Sequence, residues 1–125
     1  YMDAISLGEN SNLQDNSVVH TDTGLRSVIG ANVSVGHGAI VHGATIGDGA
    51  LIGMAATLLN GSDVGEGALI AAGALVLEGQ QIPAHAIAAG VPAKVRGELD
   101  DANRERVRLN SIHYLDLAAK HAALS

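Results

Sequence analysis

Aliphatic residues recur every six positions along most of this chain, and that period leaves few folds open. They stand at Ile29, Val35, Val41, Ile46, Ile52, Leu58, Val64, Ile70, Val76 and Ile82, with one five-residue step between Val41 and Ile46. Gly follows the aliphatic residue at Gly30, Gly36, Gly47, Gly53 and Gly65, and a small residue recurs four positions after it (Ala39, Thr45, Ala50, Ala56, Ser62, Ala68, Ala74). Upstream, Leu7, Leu13 and Val19 keep the same phase, ahead of a four-residue insertion within residues 21 to 28. An α-helix repeats every 3.6 residues and a half-buried strand every two, so neither fits. Gly and turn residues also break each run after two or three positions. A triangular coil of three short strands does fit. The aliphatic residue points inward, the small residue occupies the crowded corner, and Gly relieves the bend. Coils of three hexapeptides stack at the strand spacing of ~4.8 Å, and each buries its aliphatic residues only against its neighbours. The expected class is an all-β solenoid, a parallel β-helix.

Composition agrees. Two Tyr and no Phe or Trp would starve a conventional core, which draws buried area from aromatics, but they suit thin aliphatic layers. No apolar run reaches the ~20 residues that span a bilayer, and no secretory signal pattern is present. Without Cys there are no disulfides or thiolate metal sites, and the expected location is cytoplasmic. A net charge of −6 argues against nucleic-acid partners, which demand a basic patch. The chain begins at Tyr1 rather than Met, as a trimmed chain or a fragment would.

After Ala88 the pattern breaks down in residues 89 to 94, where Pro92 is expected to end regular pairing. Asp100 or Asp101 then offers an N-cap, and Val107, Ser111, Leu115, Ala118 and Ala122 fall on one helical stripe. The expected division is a β-helix over residues 1–97 and a C-terminal α-helix within 98–125. A helix over residues 101 to 122 would be ~30 Å long, against ~24 Å for five stacked coils. It is therefore expected to lie along the prism.

The histidines carry the chemistry. Val19 and Val41 begin equivalent hexapeptides, and His20 and His42 each follow one residue later. Their imidazoles are expected to stack on one face, one strand spacing apart, a separation that suits two ligands of one metal. His37 follows Val35 by two residues and is expected on the neighbouring face, pointing away from the pair within one subunit. It completes a three-His site if a second subunit presents its own His37 across a shared edge, and a three-fold trimer closes with three such sites. Three His with an open position is a catalytic arrangement for Zn2+. His85 reads as a corner residue, and His113 and His121 as helix surface.

At these residues the chain resembles the γ-class carbonic anhydrases and their relatives. The resembling stretches are residues 12–20, ending in Val-Val-His, 35–48 with Val-Gly-His-Gly-Ala-Ile-Val-His-Gly, and 52–57, Ile-Gly-Met-Ala-Ala-Thr. Gly-Val-Pro-Ala-Lys at 90–94 and Asn-Ser-Ile-His-Tyr at 110–114 continue it. The left hand of the β-helix is assigned from resemblance to hexapeptide-repeat proteins, against the usual right-handed crossover rule. The resemblance implies a homotrimer with Zn2+, or Fe2+ or Co2+, at each subunit interface. His20 and His42 of one subunit and His37 of its neighbour would be the ligands, and reversible hydration of CO2 to bicarbonate the reaction. Gln14 and Asp15 match the family's Gln-Asp pair near the metal, Tyr114 a Tyr at the pocket edge, and Asn110 a weaker match. Gln14-Asp15-Asn16 is equally good corner-turn chemistry, and a helix Tyr is commonly a packing residue. Family members carry further coils upstream, with an Arg-Gly-Asp segment that this chain lacks. The founding type also has an acidic proton-shuttling loop, which here reads Thr-Asp-Thr-Gly-Leu-Arg-Ser (21–27) with Asp22 its one acid.

Two other functions fit parts of the pattern. Hexapeptide-repeat acyltransferases and thioesterases share the solenoid and the Gly-Val-Pro-Ala-Lys segment, and use a catalytic His with CoA bound between subunits. They have no need of three metal-positioned His. A non-catalytic γ-class-like scaffold would tolerate the missing Arg-Gly-Asp and acidic loop.

Overall fold

The structure is a computed structural model and describes residues 5–21 and 26–109. Its strands follow the six-residue period. The first coil contributes β1 (Ile5–Leu7), β2 (Asn12–Leu13) and β3 (Val18–His20). The second holds β4 (Ser27–Ile29), β5 (Ser34–Val35) and β6 (Ile40–His42), and the third β7 (Thr45–Ile46), β8 (Leu51–Ile52) and β9 (Thr57–Leu58). The fourth holds β10 (Asp63–Val64), β11 (Leu69–Ile70) and β12 (Leu75–Val76), before β13 (Gln81–Ile82) and β14 (Ala86–Ala89) begin a fifth. Successive turns pair in parallel, giving three sheets ordered β1-β4-β7-β10-β13, β2-β5-β8-β11-β14 and β3-β6-β9-β12. The ten expected aliphatic residues from Ile29 to Ile82 all point inward and are buried.

Register records both irregularities of the repeat. Partners stand 22 residues apart below the insertion (Leu7↔Ile29), 17 across the short step (Ile29↔Ile46) and 18 above it (Ile46↔Val64). The short step also corrects one assignment. Ala44, not Thr45, fills the buried small-residue slot, and Thr45 is exposed. Counting four residues forward from Val41 crosses the deletion and overshoots by one.

Corners are two-residue turns whose second residue takes a left-handed backbone. Most are Gly or Asn, whose αL conformation costs little, but Ala55 (φ 60°) and His85 (φ 59°) adopt it too. His85 thus sits at a corner, as expected.

Regular pairing does not end at Pro92. The chain turns through residues 90–93 and returns as β15 (Lys94–Glu98), antiparallel to β14. Helix α1 (Asp101–Leu109) follows, with the Asp100 carboxylate accepting the Asn103 N–H at 2.8 Å as its N-cap. The rest of the expected helix lies outside the described residues.

The three faces of the prism differ in cover. On the β1 sheet the outward Thr45, Asp63 and Gln81 are polar and exposed. On the β2 sheet the outward Leu51 and Leu69 are buried with Leu99, just before α1, and with Val107 within it. The β3 sheet presents two columns of mostly apolar outward residues with nothing described lying over them. Among the described residues, no helix is long and apolar enough to cross a membrane.

Candidate metal centre

The β3–β6 pairing puts His20 directly opposite His42. Their ring centroids are 4.7 Å apart and the planes meet at 68°, an edge-to-face contact. Two nitrogens on one Zn2+ stand about 3.4 Å apart, given Zn–N bonds of about 2.1 Å in a tetrahedron, so rings this close suit one ion. His20 is exposed, His42 is half-buried, and His42 Nε2 is shielded from solvent. On the coils above, Leu59 and Leu77 follow Leu58 and Val76 and continue the same outward column. The adjacent column on this sheet reads Val18, Ile40, Thr57 and Leu75. Val18, Ile40 and Leu77 remain 48%, 40% and 42% exposed. The histidine pair therefore lies on an uncovered apolar face.

His37 is not on the neighbouring face but at the corner between β5 and β6. There the Gly38 N–H donates to the Asp15 carbonyl at 3.1 Å, and the Ala55 N–H to the His37 carbonyl at 2.8 Å. The column up this corner is thus Asp15, His37 and Met54, with Gln14 beside Asp15. Gln14 is half-buried, its N–H bonded to the Val35 carbonyl and its own carbonyl accepting the Ser17 hydroxyl at 2.6 Å. The turn at His37 and Gly38 and strand β6 separate His37 from His42 along the chain. Among the described residues, no group of three or more His, Cys, Asp or Glu in one subunit could hold a metal. One chain therefore assembles two of the three expected ligands and holds the third apart. Tyr114, Asn110, His113, His121 and Asp22 lie outside the described residues.

Sequence reasoning missed Ser27, which it grouped with the preceding loop. Ser27 is fully buried in β4, occupying the small-residue slot two positions before Ile29. Its hydroxyl donates to the His20 carbonyl at 2.8 Å and accepts the Gly43 N–H at 2.8 Å. That N–H also reaches the His20 carbonyl at 2.9 Å. Its place two positions before the inward Ile29 was the available signal.

No protein-family model matches the chain. A Methanocaldococcus jannaschii protein named as a probable carbonic anhydrase is 49% identical over 117 residues, covering 94% of this chain and 74% of that protein. Gamma carbonic anhydrase 2, mitochondrial, of Arabidopsis thaliana is 40% identical over 125 residues, covering 95% of this chain. The chain spans 45% of that plant protein's length. Among solved structures, a hexapeptide transferase family protein from Anaplasma phagocytophilum superimposes with a TM-score of 0.81 at 32% identity, covering 94% of this chain and 69% of that one. The repeat, the register of His20 on His42 and these likenesses agree, and the chain belongs to the γ-class carbonic anhydrase-like family of left-handed, hexapeptide-repeat β-helices.

Proposed function

We propose that three copies form a homotrimer that catalyses reversible hydration of CO2 to bicarbonate at metal sites shared between subunits. The observation that carries this reading is the His20–His42 pair, registered on the uncovered apolar face while His37 occupies the adjoining corner. An apolar face of this kind marks an interaction surface. A three-fold axis along the solenoid keeps each coil level with its counterpart. A neighbour's His37, one coil above Asp15, then arrives at the height of the pair. Closed symmetry leaves no copy's β3 face unpaired.

In this reading His20 and His42 of one subunit and His37 of the next hold Zn2+, or Fe2+ or Co2+. Such an ion supplies Lewis-acid activation of water near neutral pH. The chain's own residues do the rest. The imidazoles fix the ion by rigid strand register. Gln14 and Asp15, on the corner below His37, orient the attacking water through amide and carboxylate hydrogen bonds. Leu59 and Leu77 line the column above the pair with apolar surface, which suits an uncharged substrate. Tyr114 is proposed for the pocket edge.

The test is stopped-flow CO2 hydration on metal-loaded protein, with a known enzyme as the positive control. Hydration above background that disappears in His42→Ala is the expected result. Background rates in well-folded, metal-loaded trimer would sink the proposal. The likeness to a hexapeptide transferase supports a second reading, acyl transfer or thioester hydrolysis with CoA. Calorimetry with CoA decides it, and absence of binding removes it.

A further inference from the structure

We infer that Ser27 is the positioning residue that sets the geometry of the metal-binding pair, an inference that rests on the proposed role of His20 and His42. Both departures from the six-residue repeat fall at one corner of the prism. The four-residue insertion follows β3 and the one-residue deletion follows β6, so each begins immediately after one of the two histidines. On the coils above, this corner is closed by stacked turns, in which the Gly79 N–H donates to the Asn60 carbonyl and the Gly61 N–H to the Gly43 carbonyl. At the level of the histidines that regular stack is interrupted.

Ser27 bridges the interruption. One hydroxyl ties the His20 carbonyl to the Gly43 amide, and Gly43 is the residue after His42. The hydroxyl, the carbonyl and the amide form a closed triangle with every edge between 2.8 and 2.9 Å. Its Ser27 and Gly43 corners are buried, where hydrogen bonds are electrostatically stronger than in water. The bond points of the triangle are main-chain atoms of the two ligand-bearing strand ends. Rotation of either strand end would swing its imidazole, and Ser27 holds both at once. Equivalent slots at the same corner are filled by Ala44 and Ser62, and neither side chain donates to a ligand strand. Ser27 touches neither imidazole and acts only through the backbone.

The experiment is a Co2+ titration of the apo chain, followed by visible absorption, on wild type, Ser27→Ala, Ser27→Thr, Ser62→Ala and His20→Ala. Outer partners of metal ligands commonly contribute 10–100-fold to affinity, so Ser27→Ala is expected to bind Co2+ about tenfold more weakly. Its absorption bands should also shift, because the ligand angle changes. Ser27→Thr, which keeps the hydroxyl, restores affinity and spectrum, and Ser62→Ala leaves both unchanged. Far-UV circular dichroism and sizing establish that each apo variant is folded. If Ser27→Ala does not fold, Ser27→Cys takes its place, since a thiol of similar size is a weak donor. A folded Ser27→Ala with wild-type affinity and spectrum overturns the inference while leaving the metal site standing. Wild type that binds no Co2+, or His20→Ala that binds as wild type does, overturns the metal-site reading and the inference with it.

Discussion

Ile40→Glu is expected to break the trimer while leaving the solenoid folded. Ile40 lies on the face that carries the histidine pair, and 40% of it stays exposed in the single chain. Full burial of an Ile side chain contributes up to about 3 kcal/mol, so the exposed part is worth about 1 kcal/mol at each interface. A closed trimer has three equivalent interfaces. Truncation to Ala therefore weakens assembly by about 3 kcal/mol, or roughly a hundredfold in the monomer–trimer constant. A carboxylate in place of the alkyl group adds the cost of removing a charge from water without a partner. Sedimentation equilibrium reads the outcome directly, with thermal unfolding by circular dichroism as the check on folding. Thr45→Glu, on the polar exposed face of the β1 sheet, serves as the control and stays trimeric. If Ile40→Glu assembled as tightly as wild type, the argument from the uncovered face would be wrong.

Ser62→Ala is expected to raise stability by about 1 kcal/mol, measured by urea unfolding. Its hydroxyl is buried without a hydrogen-bond partner among the described residues, in a slot that Ala fills elsewhere. Gly43→Ala is expected to lower stability by at least about 1–2 kcal/mol, since its φ of 65° is left-handed and disfavours a side chain. A Cβ at Gly43, the residue after His42, also meets the Asn60 side chain, so Co2+ binding weakens alongside the melting temperature.

Much of this architecture was legible because a six-residue period admits one kind of coil, and inward residues such as Val35, Ile52 and Ile70 declare it. The stacking of His20 on His42 was legible for the same reason. Equal offsets from Val19 and Val41 put them in register once the insertion was counted. Other features depend on partners that periodicity does not reveal. Ala44 was hidden by a deletion that moves the small-residue slot. Strand β15 follows no repeat. Its Lys-Val-Arg-Gly-Glu is fixed by pairing back onto Ala86–Ala89 through a turn at Gly90 (φ 102°). His37 was expected on a face and lies at a corner, because the second residue after an inward aliphatic already belongs to the turn. Ser27 was passed over since its two partners are backbone atoms, brought to it by chain-length irregularities rather than by any motif.

The central claim is that each site takes His20 and His42 from one subunit and His37 from another. It is tested by unfolding His37→Ala and His42→Ala together and refolding them as mixed trimers. Each variant alone should bind little Co2+ at a concentration that just saturates wild type. In a ring of three, any mixed trimer contains one interface where an intact pair meets an intact His37. An equimolar random mixture should therefore recover about one quarter of the wild-type sites. Recovery near that value is the predicted result. No recovery on mixing, or full binding by either variant alone, would contradict a site shared between subunits.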